Sequence, residues 1–171
     1  MRHSAAHVLA MAVMEMFPDA KLAIGPTVEN GFYYDVALPR TLIPEDLPLL
    51  EEKMKKYIKM DLPFELYYEP KDKAVEFLKK INQGYKVEMA QDLDVKEISF
   101  YKNGSVFVDM CEGPHLNSTG EMGAFQLTKI AGAYWRGDEK NKMLQRIYGL
   151  CFETQAELDA FVHQQEEAKK R

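Results

Sequence analysis

The 171-residue sequence has only two cysteines, Cys111 and Cys151, and no long apolar run. Two cysteines are too few for the disulfide framework of a small secreted domain, so both are predicted to be reduced thiols. A membrane-spanning helix needs about 20 apolar residues, and the first residues lack the basic and then apolar plan of a signal peptide. We therefore expect a cytoplasmic protein that does not bind a membrane.

Positive charge is also scarce. The chain has 22 Lys and Arg against 27 Asp and Glu, which gives a net charge of −5. Because general nucleic-acid binding depends on many contacts from Lys and Arg to phosphates, any RNA contact must be local. The sequence also lacks a Gly-rich phosphate loop, a Ser-centred nucleophile elbow and an EF-hand loop, so nucleotide and calcium sites of those kinds are not expected.

The apolar pattern predicts a mixture of helices and strands. The predicted helices are an amphipathic first helix over 2–17, helices over 44–60 and 71–81, and a final helix opened by the capping box 154–157. The predicted strands are a hairpin within 21–38 and strands near 64–68, 85–89, 95–101, 125–130 and 144–152. Asn103-Gly104 predicts a type I′ turn that pairs 99–101 with 105–110. Since βαβ alternation is missing, we expect an α+β fold with a mostly antiparallel sheet and helices packed on one side.

Two short segments concentrate the side chains that bind metals or transfer protons. His3 and His7 are four residues apart on the predicted first helix, so both imidazoles project from one face and can meet a single water or metal ion. Cys111 and His115 flank a Glu-Gly-Pro segment that can turn the backbone and aim both side chains at one point. Taken singly, these residues are better explained as surface histidines and a small buried thiol. Their combination predicts a functional site.

The two segments also resemble known motifs. Residues 3–7 (HSAAH) and 111–115 (CEGPH) are similar to the paired H-x-x-x-H and C-x-x-x-H motifs of the threonyl- and alanyl-tRNA synthetase editing superfamily. Residues 31–35 (GFYYD), 132–138 (GAYWRGD) and 143–149 (MLQRIYG) resemble the bacterial-type threonyl branch. The resemblance covers nearly the whole chain, and its motifs occur in order.

This resemblance implies a post-transfer editing hydrolase, which removes wrongly attached serine from the tRNA for threonine. It places His3 and His7 around the attacking water or the adenosine ribose, with Lys86 as a further proton-handling group. Cys111 and His115 would complete the wall and the hydrogen bonds near the serine side chain. On the residues alone, Lys86 is explained nearly as well as a solvated lysine at the start of a strand.

The resemblance also implies residues that contact the substrate. Asp109 would bind the substrate ammonium, with further contacts from Gly25 and Tyr34. Trp135 and Arg136 would receive the single-stranded tRNA end, since an aromatic ring and a guanidinium can stack on bases and contact phosphate. Without the resemblance, core packing is the better explanation of Trp135.

A metal ion is the main chemical alternative. His3, His7, Cys111 and His115 could form a tetrahedral zinc site, and the alanyl-type relatives resemble zinc users. The threonyl branch, which this chain resembles more closely, implies that no cofactor is required. We therefore expect hydrolysis without a metal, and zinc at these four residues is the alternative.

The resemblance also predicts how the chain is organised. Residues 1–153 should form the editing domain, and 154–171 a C-terminal linker helix that leads toward an absent aminoacylation core. The expected partners are the acceptor end of the tRNA for threonine, carrying serine, and the rest of the synthetase chain. Two other functions stay open: a zinc-dependent hydrolase of the alanyl type, and a non-catalytic module that binds the tRNA acceptor end.

Overall fold

A computed structural model of the chain describes residues 1–170; Arg171, the last residue of the predicted linker helix, lies outside the described residues. The helices are α1 (Arg2–Met16), α2 (Asp46–Lys59), α3 (Lys71–Lys80), α4 (Gly84–Asp92) and α5 (Gln155–Lys169). The strands are β1 (Lys21–Leu22), β2 (Thr27–Val28), β3 (Gly31–Ala37), β4 (Glu65–Pro70), β5 (Glu97–Asn103), β6 (Phe107–Met110), β7 (Ala124–Tyr134) and β8 (Met143–Phe152).

The strands form two antiparallel sheets. In the larger sheet the order is β1-β3-β8-β7, with β2 paired to the end of β3. The smaller sheet has the order β4-β5-β6. The predicted α+β class with antiparallel pairing is therefore confirmed. The strands divide between two sheets because β6 pairs with β5, whereas β7, the next strand along the chain, pairs with β8.

Helix α1 lies at the centre of the main core. Its ten residues from Ser4 to Val13 are all buried, because the helix packs against α2 on one side and against strands of the larger sheet on another. Phe32, Leu50 and Met54 are among the large side chains that surround it. The prediction of an amphipathic first helix is wrong, since a helix enclosed on all sides presents no polar face to water.

The segment predicted as a strand over 85–89 is the helix α4 instead. Its buried residues are Lys86, Val87 and Ala90, which lie along one side of a helix. The error arises because the alternation of polar and apolar residues in Tyr-Lys-Val-Glu-Met covers only five positions, and so short a run does not distinguish a strand from a helix. The alternative explanation of Lys86, a solvated lysine at the start of a strand, is also wrong, since the Lys86 side chain is only 5% exposed.

The hairpin around Asn103-Gly104 is confirmed, but its turn type was predicted wrongly. Asn103 pairs with Phe107, so three residues form the connection, and of the two predicted turn residues only Gly104 has a positive φ. A type I′ turn needs a positive φ at both central residues. Asn103 is fully buried because its side chain turns into the protein instead of serving the turn.

The other predicted elements agree with the structure to within a few residues. The 21–38 segment forms β1 to β3, and the Thr154 hydroxyl accepts from the Glu157 backbone N–H at the start of α5. Helix α5 docks through Leu158 and through Phe161 against Phe152, and residues 163–170 are exposed. Within residues 1–170, no helix combines the length and apolarity that a membrane crossing requires.

A close approach between β3 and β8 gives a test of the core. A Cβ atom added at Gly149 would lie 2.4 Å from Cζ of Phe32, which is fully buried. Gly149→Ala should therefore lower the free energy of unfolding by about 1–3 kcal/mol, the usual range for overpacking. The control is Gly84→Ala at the start of α4, where an added Cβ would meet nothing within 4 Å. Urea unfolding of both variants measures the difference, and equal stability would contradict the packing described.

Candidate active site

The loop after β6 returns to the start of α1. Gly113 has a φ of +73°, and a Cβ atom there would lie 2.3 Å from the Tyr101 hydroxyl oxygen. Only glycine fits this close approach at a positive φ. The resulting bend brings Cys111 Sγ to 3.3 Å from His115 Nε2, as the sequence predicted for this segment.

The first turns of α1 add two more imidazoles to the same point. His3 Nε2 lies 3.2 Å from Cys111 Sγ. The ring of His115 lies 4.7 Å from that of His3 and 4.9 Å from that of His7, measured between centroids. The rings of Phe64 and Tyr101 also pack against His115. The structure thus brings together all four residues of the H-x-x-x-H and C-x-x-x-H motifs.

Ser4 orients His115. Its hydroxyl oxygen accepts a hydrogen bond from the Leu116 backbone N–H and lies 3.0 Å from His115 Nδ1. The hydroxyl hydrogen is then free to be donated to Nδ1, which leaves the hydrogen of a neutral imidazole on Nε2. His115 Nε2 can therefore donate to Cys111 Sγ.

Asn103 orients His7 in a similar way. The Asn103 amide nitrogen donates to the Pro63 carbonyl over 2.9 Å, so the amide oxygen faces His7 Nε2 at 2.6 Å. Because an amide oxygen can only accept, His7 Nε2 carries a hydrogen. A neutral His7 then has Nδ1 as its acceptor nitrogen.

Burial keeps the four motif side chains uncharged. It lowers the pKa of His7 to about 4 and that of His115 to about 2, and it also lowers the pKa of His3 from its usual value. Burial raises the pKa of the Cys111 thiol to about 11. Near neutral pH the cluster therefore consists of three neutral imidazoles and a protonated thiol.

A buried ion pair lies beside this cluster. Lys86 Nζ on α4 is 3.4 Å from Asp109 Oδ1 on β6, and both side chains are less than a tenth exposed. The hydroxyl of Tyr34 donates to the other Asp109 oxygen over 2.7 Å. Gly25 lies flat on the Tyr34 ring, since a Cβ atom there would come within 2.3 Å of Cδ2. The ion pair of Lys86 and Asp109 buries two charges together, and the burial of either charge alone would be costly.

The cluster and the ion pair line one cavity of 330 Å³. Its lining includes eight residues predicted for the site: His3, His7, Gly25, Tyr34, Lys86, Asp109, Cys111 and His115. The cavity lies between α1, α4, β6 and the Gly25 segment, so both sheets contribute to it. Neutral acceptors, a thiol and a fixed carboxylate together can bind a small polar group and accept a proton from water.

Trp135 and Arg136 lie elsewhere, in the turn between β7 and β8. The Trp135 side chain is buried, and its indole N–H donates to Glu88 over 3.1 Å. Arg136 makes ion pairs with Glu88 and Asp92. Core packing, the alternative explanation of Trp135, thus describes its position, and a role of both residues at the tRNA end stays a prediction.

Comparison with known proteins relates these features to a family. Residues 98–148, from β5 into β8, match the threonyl and alanyl tRNA synthetase second additional domain. The whole chain is 54% identical over 171 residues to threonine–tRNA ligases of Acetivibrio thermocellus and Clostridioides difficile. Residues 98–148 thus match this domain family, and the whole chain is similar to a part of these ligases.

The ligases that the chain matches are longer than the chain. The match to the A. thermocellus and C. difficile ligases covers 99% of the chain and 27% of each relative. A threonine–tRNA ligase of Laribacter hongkongensis is 49% identical over 172 residues, again over 27% of its length. The chain thus spans about a quarter of the length of these relatives.

Sequence reasoning missed Ser4 and Asn103. Ser4 lies within the H-x-x-x-H segment, but only the structure shows that its hydroxyl contacts His115, 111 residues away. Asn103 had been taken for a turn residue because glycine follows it. Its full burial, which a turn residue rarely has, is visible only after the chain has folded.

The zinc alternative fits the structure in part. One ligand atom from each of His3, Cys111 and His115 lies within 4.8 Å of the others, and a catalytic zinc site needs three protein ligands of these kinds. The fourth predicted ligand, His7, directs Nε2 to Asn103 instead. Direct contacts between the three residues also pair the same atoms without a metal.

The low pKa of His7 predicts a pH dependence of stability. Between its ordinary pKa of 6.5 and its folded value of about 4, the unfolded chain binds more protons than the folded chain. The stabilisation is complete above pH 6.5 and is lost as the pH falls toward 4. From pH 7 to 5, His7 alone should remove about 2 kcal/mol from the free energy of unfolding.

Urea unfolding at pH 7 and pH 5 measures this contribution. His7→Gln should lose about 2 kcal/mol less than the wild type over this interval. His163→Gln, a change at an exposed position of α5, should lose as much as the wild type. An equal loss in all three proteins would contradict a buried neutral His7.

Proposed function

We propose that the chain hydrolyses the ester that joins serine to the tRNA for threonine. The observation that carries this proposal is the single cavity in which a neutral histidine and cysteine cluster meets the buried pair of Lys86 and Asp109. The domain family that residues 98–148 match is named for threonyl and alanyl tRNA synthetases. A site within such an enzyme that holds groups for ester hydrolysis fits the removal of a wrongly attached amino acid.

The need for such a hydrolase follows from the likeness of the two amino acids. Serine lacks only the methyl group of threonine, and a binding pocket rejects a smaller analogue by only about 1–3 kcal/mol per missing methylene. A second site must therefore complete the discrimination. It does so by admitting serine and excluding the extra methyl of threonine, and Cys111 and His115 form the wall that would exclude it.

Hydrolysis of an aminoacyl ester needs a positioned water, a proton acceptor and a donor for the oxyanion. His3 and His7 are neutral near pH 7, because burial lowers the pKa of each. They can thus hold the attacking water or the ribose hydroxyl. Cys111 is a poor nucleophile here, since only a thiolate attacks readily and burial raises the pKa of this thiol to about 11. Water therefore attacks the ester directly, and no covalent intermediate forms.

The buried ion pair supplies the remaining roles. Asp109 is held by Lys86 and Tyr34, so its carboxylate is fixed in place before the substrate arrives and can bind the serine ammonium. The Lys86 ammonium is a proton donor that can stabilise negative charge on the ester oxygen. Gly25, which lies against Tyr34, leaves room beside the carboxylate.

Two partners follow from this proposal. The substrate is the acceptor end of the tRNA for threonine carrying serine, and its single-stranded end would reach the cavity past the turn that holds Trp135 and Arg136. The rest of a synthetase chain is the second partner, since the relatives are about four times as long as this chain. Their aminoacylation activity would lie in the part that the chain does not span.

The convergence of His3, Cys111 and His115 supports a second candidate, a zinc-dependent hydrolase of the alanyl type. A zinc ion held by these three residues would lower the pKa of a bound water to about 7. We propose the metal-free reaction, because the whole chain is similar to threonine–tRNA ligases, and resemblance to the threonyl branch implies that no cofactor is required.

Release of the amino acid from charged tRNA tests the proposal. The wild type should release serine rapidly from the tRNA for threonine and spare threonine. His7→Ala should slow serine release by about 100-fold or more, because a group that positions or deprotonates the water is lost. His163→Ala, on the exposed part of α5, is the matched histidine control and should keep the wild-type rate. Binding of the tRNA without release of serine by the wild type would favour a non-catalytic binding module.

Treatment with a chelator separates the two candidate hydrolases. After dialysis against EDTA, serine release should keep its rate to within about twofold, since the proposed water is held by side chains and not by a metal. The rate of release and the zinc content of the protein are measured together. A loss of activity that stoichiometric zinc restores would establish the zinc-dependent alternative.

A further inference from the structure

The turn between β7 and β8 contacts one face of α4. Trp135 packs its ring against Tyr85, with 4.9 Å between centroids, and donates its indole N–H to Glu88. Arg136 reaches Glu88 at 3.5 Å and Asp92 at 2.5 Å. Because Tyr85, Glu88 and Asp92 are three and four residues apart, they form a single stripe along the helix.

Arg136 has an uncommon backbone conformation at the position from which its side chain reaches Glu88 and Asp92. Its φ and ψ are 56° and 23°, a left-handed region that few residues other than glycine occupy. Such a conformation persists where the surrounding contacts hold it. Here those contacts are hydrogen bonds within the turn, from Asn141 Nδ2 and the Asp138 N–H to the Trp135 carbonyl, together with the two carboxylates of α4.

Lys86 lies about 100° further around the same helix, one residue beyond Tyr85. From there its Nζ approaches Asp109 at 3.4 Å and the Met110 carbonyl at 3.5 Å. The next turn of α4 places Met89 both against the small apolar cluster that includes Trp135 and in the lining of the cavity. The turn and the cavity thus contact adjacent faces of one short helix.

Helix α4 packs on α3, where Val87 and Ala90 share a buried cluster with Leu78, and further contacts at its start and flank fix its orientation. It has nine residues, and helices of this length are marginal in isolation. Its N-cap residue, Gln83, makes no side-chain capping bond and instead bonds to Leu22 and Ala20 at the edge of the larger sheet. Gln83 therefore fixes one end of the helix, and the Trp135–Arg136 turn fixes its flank.

We propose that Trp135 and Arg136 are positioning residues that hold α4 so that Lys86 meets Asp109 and the substrate in the cavity. This inference rests on the proposed hydrolysis, and it gives the segment 132–138 a role other than stacking on the tRNA end. The Trp135 ring is only 6% exposed and is covered by Tyr85, so its face is not open to a base. Arg136 already pairs with two carboxylates.

Kinetics of serine release separate positioning from tRNA binding. Trp135→Phe keeps an aromatic ring against Tyr85 but removes the indole N–H, and Glu88→Ala removes the group that both turn residues contact. Each should lower kcat about tenfold or more, because a small displacement of a reacting group is costly, and should leave KM within about twofold. Glu139→Ala, an exposed carboxylate of the same hairpin, is the control and should match the wild type.

A double-mutant cycle with Lys86→Ala tests whether the effect passes through Lys86. If the turn acts by positioning this lysine, Glu88→Ala should have little further effect once Lys86 is gone. An equal fold-loss in both backgrounds, or an increase in KM with kcat unchanged, would overturn the inference. The second result would support direct contact with the tRNA end.

A readout independent of turnover keeps this test separate from that of the proposed function. Reductive methylation with formaldehyde, followed by mass spectrometry, compares buried Lys86 with exposed Lys140 in the same protein. In Glu88→Ala, Lys86 should react about tenfold faster than in the wild type, because α4 opens more often, and Lys140 should be unchanged. Unchanged protection of Lys86 would contradict the positioning role whether or not the chain releases serine, and absence of release from the wild type would contradict only the proposed function.

Discussion

The burial of residues 4–13 of α1 on all sides is the constraint on which the site depends. A helix enclosed on all sides cannot leave a polar side chain to water, and an unpaired buried polar group costs about 1–3 kcal/mol. Ser4 and His7 must therefore find partners within the protein. They find them in the loop after β6 and in the β5–β6 hairpin, and those partners fix the orientation of the imidazoles.

The same burial sets the electrostatic character of the cavity. Three imidazoles and a thiol all remain uncharged there, because removal from water disfavours each charged form. The two buried charges, on Lys86 and Asp109, oppose each other, and Glu112 adds an exposed carboxylate to the lining. The cavity therefore presents carboxylate oxygens that could meet an ammonium.

The sequence predicted the parts of the site that depend on local spacing. The four-residue separation in H-x-x-x-H and the Gly-Pro bend in C-x-x-x-H are short-range features, and the four side chains converge in the structure. The predictions that were wrong concern residues whose positions depend on contacts with distant parts of the chain. Asn103 was assigned to a turn because its bond to His7 spans 96 residues. Lys86 was assigned to a strand because five residues do not define a period, and its burial depends on Asp109 and on the packing of α4.

The cavity also lies at the seam between the two sheets, with Tyr34 from the larger sheet and Asp109 from the smaller one joined by a single hydrogen bond. A half-folded chain, with one sheet formed and the other not, would have neither the carboxylate held in place nor the imidazoles paired. The site therefore exists only where both sheets are formed and joined. Any chemistry of this cavity thus requires the whole tertiary structure, and neither sheet alone could carry it.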